Sequence, residues 1–277
     1  MKALLRIILV FSLVWCVSRS AIYFLPGNPA EYLVHESLVQ ISEETLKEKM
    51  DIKSSPMERI FSLPKNESLI KKDTATHLLW VALQRSFFLT SLTLVFTTLF
   101  TSALLFFSFR KRIFRNASET FSVCSAALPL FILGPLLLRL SSFPNPVLPA
   151  FALSLHLTAF WFRALQKKID VWLPRSSAAG SRARGKTEAR IFWKDVLAPV
   201  LGSFFSYFGT QIGFLLNGSL LVEVIFQWNG LGNLLADSVL ARDYPVIEIT
   251  LITITLITLV SQQLGYFFQS LWEPKAT

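Results

Sequence analysis

The stretch GFLLNGSLLVEVIFQWNGLGNLLADSVLARDYPVIEITLITITLITLV, from Gly213 to Val260, decides the fold. An apolar run leads into a polar loop rich in glycine and asparagine, and a second apolar run opens at Tyr244-Pro245. Long apolar runs on either side of a short polar loop predict two helices joined by a turn. The loop is the specific part, since loops carry function more often than the helices that they connect.

The composition is that of a membrane protein. Hydrophobic residues make up 52% of the chain and charged residues 16%, against about 25% charged residues in soluble domains. We therefore expect an all-α polytopic membrane protein forming a single transmembrane domain over residues 1–277. The net charge of +9 follows from basic loops, and no basic stripe carries aromatics spaced for stacking on bases, which excludes nucleic acid as a partner.

Six stretches are apolar enough to be predicted as transmembrane helices. They run over about 4–24, 86–109, 121–140, 147–165, 197–225 and 245–271. The first resembles a signal peptide in its basic start, but its length and Arg19, at the place where cleavage would occur, favour an uncleaved anchor. In the third, Pro129 and Pro135 each remove a backbone hydrogen bond, which predicts kinks.

Basic residues predict the orientation. They are concentrated between the second and third stretches and between the fourth and fifth, whereas the loops on the other side hold only Arg242. The positive-inside rule then places both termini and a basic segment over residues 166–196 in the cytoplasm. An outer segment over residues 29–85, with mixed charges, is expected on the opposite side.

The basic segment has two interpretations of equal weight. It is either a solvated loop held near anionic lipid or a docking element for a partner protein. Small residues precede a short helical pattern that begins at Glu188, and apolar Ile191, Phe192 and Val196 share one face of it. The candidate docking residues are Arg182, Ala183, Arg184, Gly185 and Glu188.

The polar loop after the fifth stretch has two interpretations as well. Composition favours a capped turn with aromatics at the membrane interface, in which Asp243 caps the sixth helix. The functional alternative is an outer gate or docking site. Its candidate residues are Trp228, Gly230, Gly232, Arg242, Asp243 and Tyr244.

Several polar side chains fall inside the apolar stretches, where they are costly and often functional. Gln211, Asn217 and Glu223 are candidates for lining a hydrated translocation path. Glu248 falls in the first turn of the sixth helix, where a carboxylate suits the positive end of the helix dipole. Arg19 is expected near the outer interface, with its side chain snorkelling to water.

The chain carries no motif of an enzyme. It has no glycine-rich phosphate loop, no HExxH and no nucleophile elbow. Cys16 and Cys124 stand alone in apolar runs and lack the spacing of a metal or redox site. We therefore expect no catalytic residue, no metal and no cofactor.

Four motifs point to a known family. They are Phe24-Leu25-Pro26-Gly27-Asn28-Pro29, Val222-Glu223-Val224-Ile225-Phe226-Gln227-Trp228-Asn229-Gly230-Leu231-Gly232, Arg242-Asp243-Tyr244-Pro245-Val246-Ile247 and Trp272-Glu273-Pro274-Lys275. In order and spacing the chain resembles the inner-membrane permease subunits of ABC importers for dipeptides and oligopeptides. The resemblance covers nearly the whole chain and is strongest over its last sixty or so residues.

The resemblance implies the type I permease fold of ABC importers and a set of partners. These are a second permease subunit, cytoplasmic ATPase subunits and a solute-binding protein outside the inner membrane of a bacterium. It makes Ala183-Arg184-Gly185 and the following helix the coupling loop that docks on the ATPase, so this chain would hydrolyse no ATP itself.

Three alternatives stay open. The same architecture serves nickel, heme and other small solutes. A secondary transporter would need inverted repeats, which the sequence does not show. A non-transporting scaffold is the third alternative, because the interval from Gly185 to Pro199 is short for the family.

Overall fold

The computed structural model describes residues 2–24, 66–69, 71, 73–110, 112–139, 145–172, 180–197 and 201–272. In these ranges the regular structure is helical, apart from an isolated antiparallel bridge between Glu67 and Thr74. The all-α prediction is confirmed. Most of the outer segment, the Leu25–Pro29 part of the first motif, Pro199 and the closing Glu273-Pro274-Lys275 lie outside the described residues.

The helices follow one another along the chain with short connections. Their bounds are α1 (Lys2–Phe24), α2 (Ala75–Arg110), α3 (Arg112–Ala127), α4 (Leu130–Leu138), α5 (Val147–Trp172), α6 (Glu188–Arg190), a π-helix (Ile191–Leu197), α7 (Leu201–Gly218), α8 (Leu220–Ile225), α9 (Leu231–Leu240) and α10 (Tyr244–Trp272). The chain divides into two compact units. The first unit joins residues 1–87 to 216–260, and the second joins residues 88–215 to 261–277.

Helix bounds depart from the predicted stretches where polar residues continue a helix. Helix α2 begins at Ala75 instead of near residue 86, since Asn66 caps it by accepting from Ala75 N at 3.0 Å and Thr76 N at 2.9 Å. Helix α5 continues past residue 165 to Trp172. Only the sixth prediction, 245–271, agrees with its helix within a residue at each end.

The third predicted stretch is not one straight helix. It begins earlier, at Arg112, and breaks between Ala127 and Leu130, where α3 and α4 meet at an angle of 92°. Pro129 precedes α4 with an extended backbone, so the kink predicted there is confirmed. Pro135 lies inside α4 without ending it.

The six-span prediction is not confirmed. In the described part of the chain, three helices are long and apolar enough to cross a membrane: Ala75–Phe109, Val147–Val171 and Tyr244–Leu271. A fourth crossing is possible if α3 and α4 count as one bent span. The fifth predicted stretch is interrupted, because α7 ends at Gly218 and α8 starts afresh at Leu220.

In the first unit, a buried ion pair joins α1 to α10. The guanidinium of Arg19 donates to the carboxylate of Glu248, and both residues are buried. The expectation that Arg19 snorkels to water is wrong. An ionised partner at the same depth satisfies the guanidinium, which removes the need to reach the interface.

In the second unit, helices approach each other through small residues and backbone contacts. Ser122 Oγ of α3 donates to Ala159 O of α5 at 2.9 Å, and Ser125 Oγ donates to Leu155 O at 2.8 Å. Hydroxyl groups satisfied by a neighbouring helix are a common means of holding helices together in lipid.

Helices α7 and α10 also meet closely in this unit. A Cβ at Gly209 would lie 2.5 Å from Ser261 O and 2.6 Å from Gly265 Cα. The two backbones are therefore in direct contact at a pair of glycines, as in other membrane helix crossings built on small residues.

Candidate functional site

A buried carboxylate organises the polar loop of the first unit. Glu223 of α8 is fully buried. Its Oε1 accepts hydrogen bonds from Ser86 Oγ at 2.8 Å and Ser219 Oγ at 2.9 Å, and its Oε2 accepts from Asn233 N at 3.1 Å. Charge-assisted bonds of this kind are stronger than neutral ones. Glu223 thus connects α2, α8 and α9.

The glycines of the loop allow this close approach. Leu231 N donates to Ser86 Oγ at 2.7 Å. A Cβ at Gly230 would overlap Ser86 Oγ and lie 2.7 Å from the carboxyl group of Glu223. A Cβ at Gly232 would lie 2.5 Å from Leu220 Cα. Both positions therefore require glycine for packing.

Trp228 and Arg242 define the two ends of the loop. Trp228 Nε1 donates to Arg85 O at 3.2 Å, which ties the start of the loop to α2. Arg242 has a φ of 55°, in the left-handed region, and the chain turns there from α9 into α10. Tyr244, the first residue of α10, is buried.

Asp243 holds the segment that precedes α2. Its carboxylate accepts hydrogen bonds from Ser68 Oγ and, at 3.1 Å, from Leu69 N. Its own carbonyl accepts from Ile247 N at 3.0 Å in the first turn of α10. The carboxylate was predicted to cap α10, but the structure shows it bound to a segment 174 residues away in sequence.

A polar cavity of about 350 Å³ opens beside the loop. Its wall includes Asp73, His77, Arg85, Asn233 and Asp237. His77 Nδ1 lies 2.6 Å from Asp73 Oδ2, and this hydrogen bond lowers the pKa of Asp73. The cavity is mixed in charge, and the described residues contain no cluster of three or more metal-ligating side chains.

In the second unit, the basic segment forms a closed turn. Residues 180–183 are helical, and Thr187 caps α6 by accepting from Arg190 N. Gly185 stands between them with a φ of 73°, a conformation that favours glycine. Arg182 Nε pairs with Glu188 Oε1 at 2.7 Å. The five candidate docking residues therefore lie in one turn, with Ala183, Arg184 and Gly185 exposed.

A second ion pair closes the other side of the turn. Lys186 Nζ lies 2.9 Å from Asp195 Oδ2, and Ser181 Oγ donates to the same oxygen at 3.2 Å. The Lys186 hydrogen bond is the main reason why the pKa of Asp195 lies below its ordinary value; Ser181 adds to the effect and partial desolvation opposes it.

The candidate path residues are not brought together as one set. Glu223 belongs to the first unit and Gln211 to the second. Gln211 is buried, and its Oε1 has no hydrogen-bond partner among the described residues. Asn217 is helical, and its side chain lies outside the described part. A path-lining or gating role for these residues stays a prediction.

Sequence reasoning missed the partners of the buried acids. Ser68, Ser86 and Lys186 are common polar residues without a local motif. Ser219 is the exception, because its spacing of four residues from Glu223 places both on one face of a helix. That spacing could have indicated the pair.

The polar loop, its buried acid and the basic turn are features of a transport subunit, and comparison with known proteins defines the class. Residues 95–277 match the family described as the inner membrane component of binding-protein-dependent transport systems. The chain belongs to this family and is an inner-membrane permease of a binding-protein-dependent ABC importer. The resemblance to such permeases, and with it a multi-pass protein of the inner membrane, is confirmed.

Individual relatives extend the match to nearly the whole chain. The nickel import system permease protein NikB of Staphylococcus aureus strain MRSA252 is 25% identical over 299 residues, covering 98% of this chain and 90% of that protein. NikB of strain USA300 is 26% identical over 297 residues, covering 98% and 89%. These relatives give no support to the expected peptide cargo.

Proposed function

We propose that this chain is one of two permease subunits of an ATP-driven importer whose cargo is nickel or a small nickel complex. The observation that carries the proposal is the alignment with NikB permeases along 98% of the chain, loops included. The peptide cargo suggested by the sequence motifs is the second candidate. Heme and other small solutes are further alternatives within the same architecture.

The proposed partners follow from the class of importer. A solute-binding protein delivers cargo to the outer face of the two permeases, and cytoplasmic ATPase subunits drive the change between inward-open and outward-open states. This chain then hydrolyses no ATP. A secondary transporter or a scaffold would not need the ordered basic turn around Gly185, so that turn favours the importer.

We propose that the basic turn faces the cytoplasm, together with both termini, and docks on an ATPase subunit. Its exposed residues Arg184 and Gly185 project from a base held by the Arg182–Glu188 and Lys186–Asp195 ion pairs. The polar loop around Glu223 and Asp243 would lie on the outer side as a gate. The excess of basic residues in the turn supports this orientation.

Uptake of radiolabelled nickel tests the cargo. The chain, the second permease, the ATPases and the binding protein are reconstituted in proteoliposomes, and ATP-dependent entry of nickel is compared with entry of labelled dipeptides. We expect nickel to enter and peptides not to compete. ATP-dependent entry of peptide without nickel would overturn the nickel proposal, and solute movement by this chain alone under an ion gradient would overturn the importer proposal.

Cysteine labelling tests the orientation. In a background with Cys16 and Cys124 replaced by serine, Ala183→Cys places a thiol on the exposed part of the turn. We expect an impermeant thiol reagent to label it in inside-out vesicles only. Labelling in intact cells would place the turn outside and refute the docking assignment.

A further inference from the structure

The basic turn is joined to the transmembrane helices through one aromatic side chain. Phe192, in the π-helix that follows α6, is 1% exposed. The next residue, Trp193, is 58% exposed. Adjacent large aromatic side chains therefore face opposite environments, one toward the helices and one away from them. π-Helices are rare and often occur at functional positions.

Phe192 packs against the end of α2. Its ring centroid lies 5.3 Å from that of Phe106, at an interplanar angle of 83°, and 6.3 Å from that of Phe109. The guanidinium of Arg182 lies 5.4 Å from the centroid of the Phe109 ring. Edge-to-face ring contacts have a preferred direction, so they fix the orientation of the turn as well as its distance from α2.

The same side chain packs against α5. Phe192 belongs to one buried cluster with Leu105 of α2 and with Phe162, Leu165 and Ile169 of α5, each at most 7% exposed. Protein interiors are close-packed and transmit displacement instead of absorbing it. A movement of the turn that carries Phe192 along must therefore displace α2, α5 or both.

We propose that Phe192 is the positioning residue that converts movement of the basic turn into movement of α2 and α5. The proposal rests on the proposed function, because it assigns the ATPase as the source of that movement. Phe192 itself, being buried, does not touch the ATPase. Docking and transmission are thus assigned to different residues of the same short segment.

Phe192→Ala in the reconstituted importer separates these two steps. We expect the ATPase subunits to remain bound and to hydrolyse ATP. Solute entry per ATP hydrolysed should fall about tenfold or more, which corresponds to about 1.4 kcal/mol of lost coupling free energy. Phe192→Leu, which keeps most of the volume, should restore much of the ratio. Phe131→Ala, at a side chain that is 61% exposed on α4, is the matched control and should leave the ratio unchanged.

A second readout does not depend on the cargo. A fluorophore on Val147→Cys, at the start of α5, reports ATP-dependent change in that helix in the cysteine-free background. We expect the change to be lost in Phe192→Ala while ATP hydrolysis persists. If Phe192→Ala cannot be purified, Phe192→Leu should still lower the amplitude by about twofold to fivefold, as expected for loss of an aromatic contact.

The outcomes separate this proposal from the one beneath it. If the wild-type chain fails to bind any ATPase, the proposed function is wrong. If the wild type couples normally and Phe192→Ala keeps both its entry ratio and its fluorescence change, only the role of Phe192 is wrong. Loss of ATPase binding in Phe192→Ala would also overturn that role, because it would make Phe192 a docking residue.

Discussion

Arg19 and Glu248 form an ion pair although 229 residues separate them in sequence, and only 2% and 4% of their side chains are exposed. The pair links α1, the first helix, to the first turns of α10, the last. In a hydrocarbon environment neither charge has water as an alternative partner. The pair therefore determines where α1 lies against α10.

Removing one member of this pair should destabilise the protein strongly. We expect Arg19→Met to cost about 3–5 kcal/mol, since it leaves a buried carboxylate without its partner. The double variant Arg19→Met, Glu248→Gln should recover most of that loss, because no unpaired charge remains. Thermal unfolding in detergent measures both. Equal losses in the single and double variants would show that the charges do not depend on each other.

Ser86→Ala should destabilise the polar loop. The substitution takes one donor from Glu223 and the acceptor from Leu231 N, and a buried polar group left without a partner costs about 1–3 kcal/mol. Ser91→Ala, at an exposed serine later in α2, is the control and should change stability by less than about 0.5 kcal/mol. Limited proteolysis of the loop and the unfolding midpoint provide the readouts. Indistinguishable behaviour of the two variants would remove Ser86 from the network.

Substitutions at Gly185 should separate backbone strain from bulk. A Cβ there meets nothing within 4 Å, but φ is 73°, which costs most residues about 1–2 kcal/mol and asparagine less. We expect Gly185→Asn to support near-normal uptake and Gly185→Val to reduce it. Gly185→Trp should insert into the membrane normally and abolish uptake, because its bulk blocks docking on the ATPase. Normal uptake by well-expressed Gly185→Trp would contradict the docking role.

The Lys186–Asp195 pair should be insensitive to pH in the physiological range. Because the pKa of Asp195 is lowered in the folded turn, its stabilising contribution is complete above the unfolded value of about 3.9. It is lost only as pH falls through the lower, folded value. Hydrogen exchange of the turn should therefore be constant between pH 5 and 8, after correction for intrinsic rates.

Lys186→Met provides the comparison for this pair. It removes the main cause of the lowered pKa, so opening of the turn on acidification should begin at a higher pH than in the wild type. The same acid profile in both proteins would mean that Lys186 does not hold the carboxylate.

The sequence predicted what depends on neighbouring residues. The ends of α10 at Tyr244 and Trp272 follow from an apolar run of clear length, and the bend at Pro129 follows from the missing N–H of proline. Gly185 was identified within a motif, and its left-handed φ gives a physical reason for the glycine.

The sequence could not predict which distant polar groups meet. Arg19 has the pattern of a snorkelling residue, and only the position of Glu248 in space makes burial tolerable. Ser86 gave no local signal, because its partner Glu223 lies 137 residues further along the chain. Hydrogen-bond partners of this kind are decided by packing, which hydrophobic patterning specifies only coarsely.

The contact between Gly209 and Gly265 has a consequence for movement within the second unit. With no side chain between the two backbones, α7 and α10 have no compressible layer at that point and cannot come closer. Drawing them apart there would open a void that lipid tails or water would have to fill. Any rearrangement of these two helices during a transport cycle should therefore be a rotation about the glycine pair, which acts as a fulcrum.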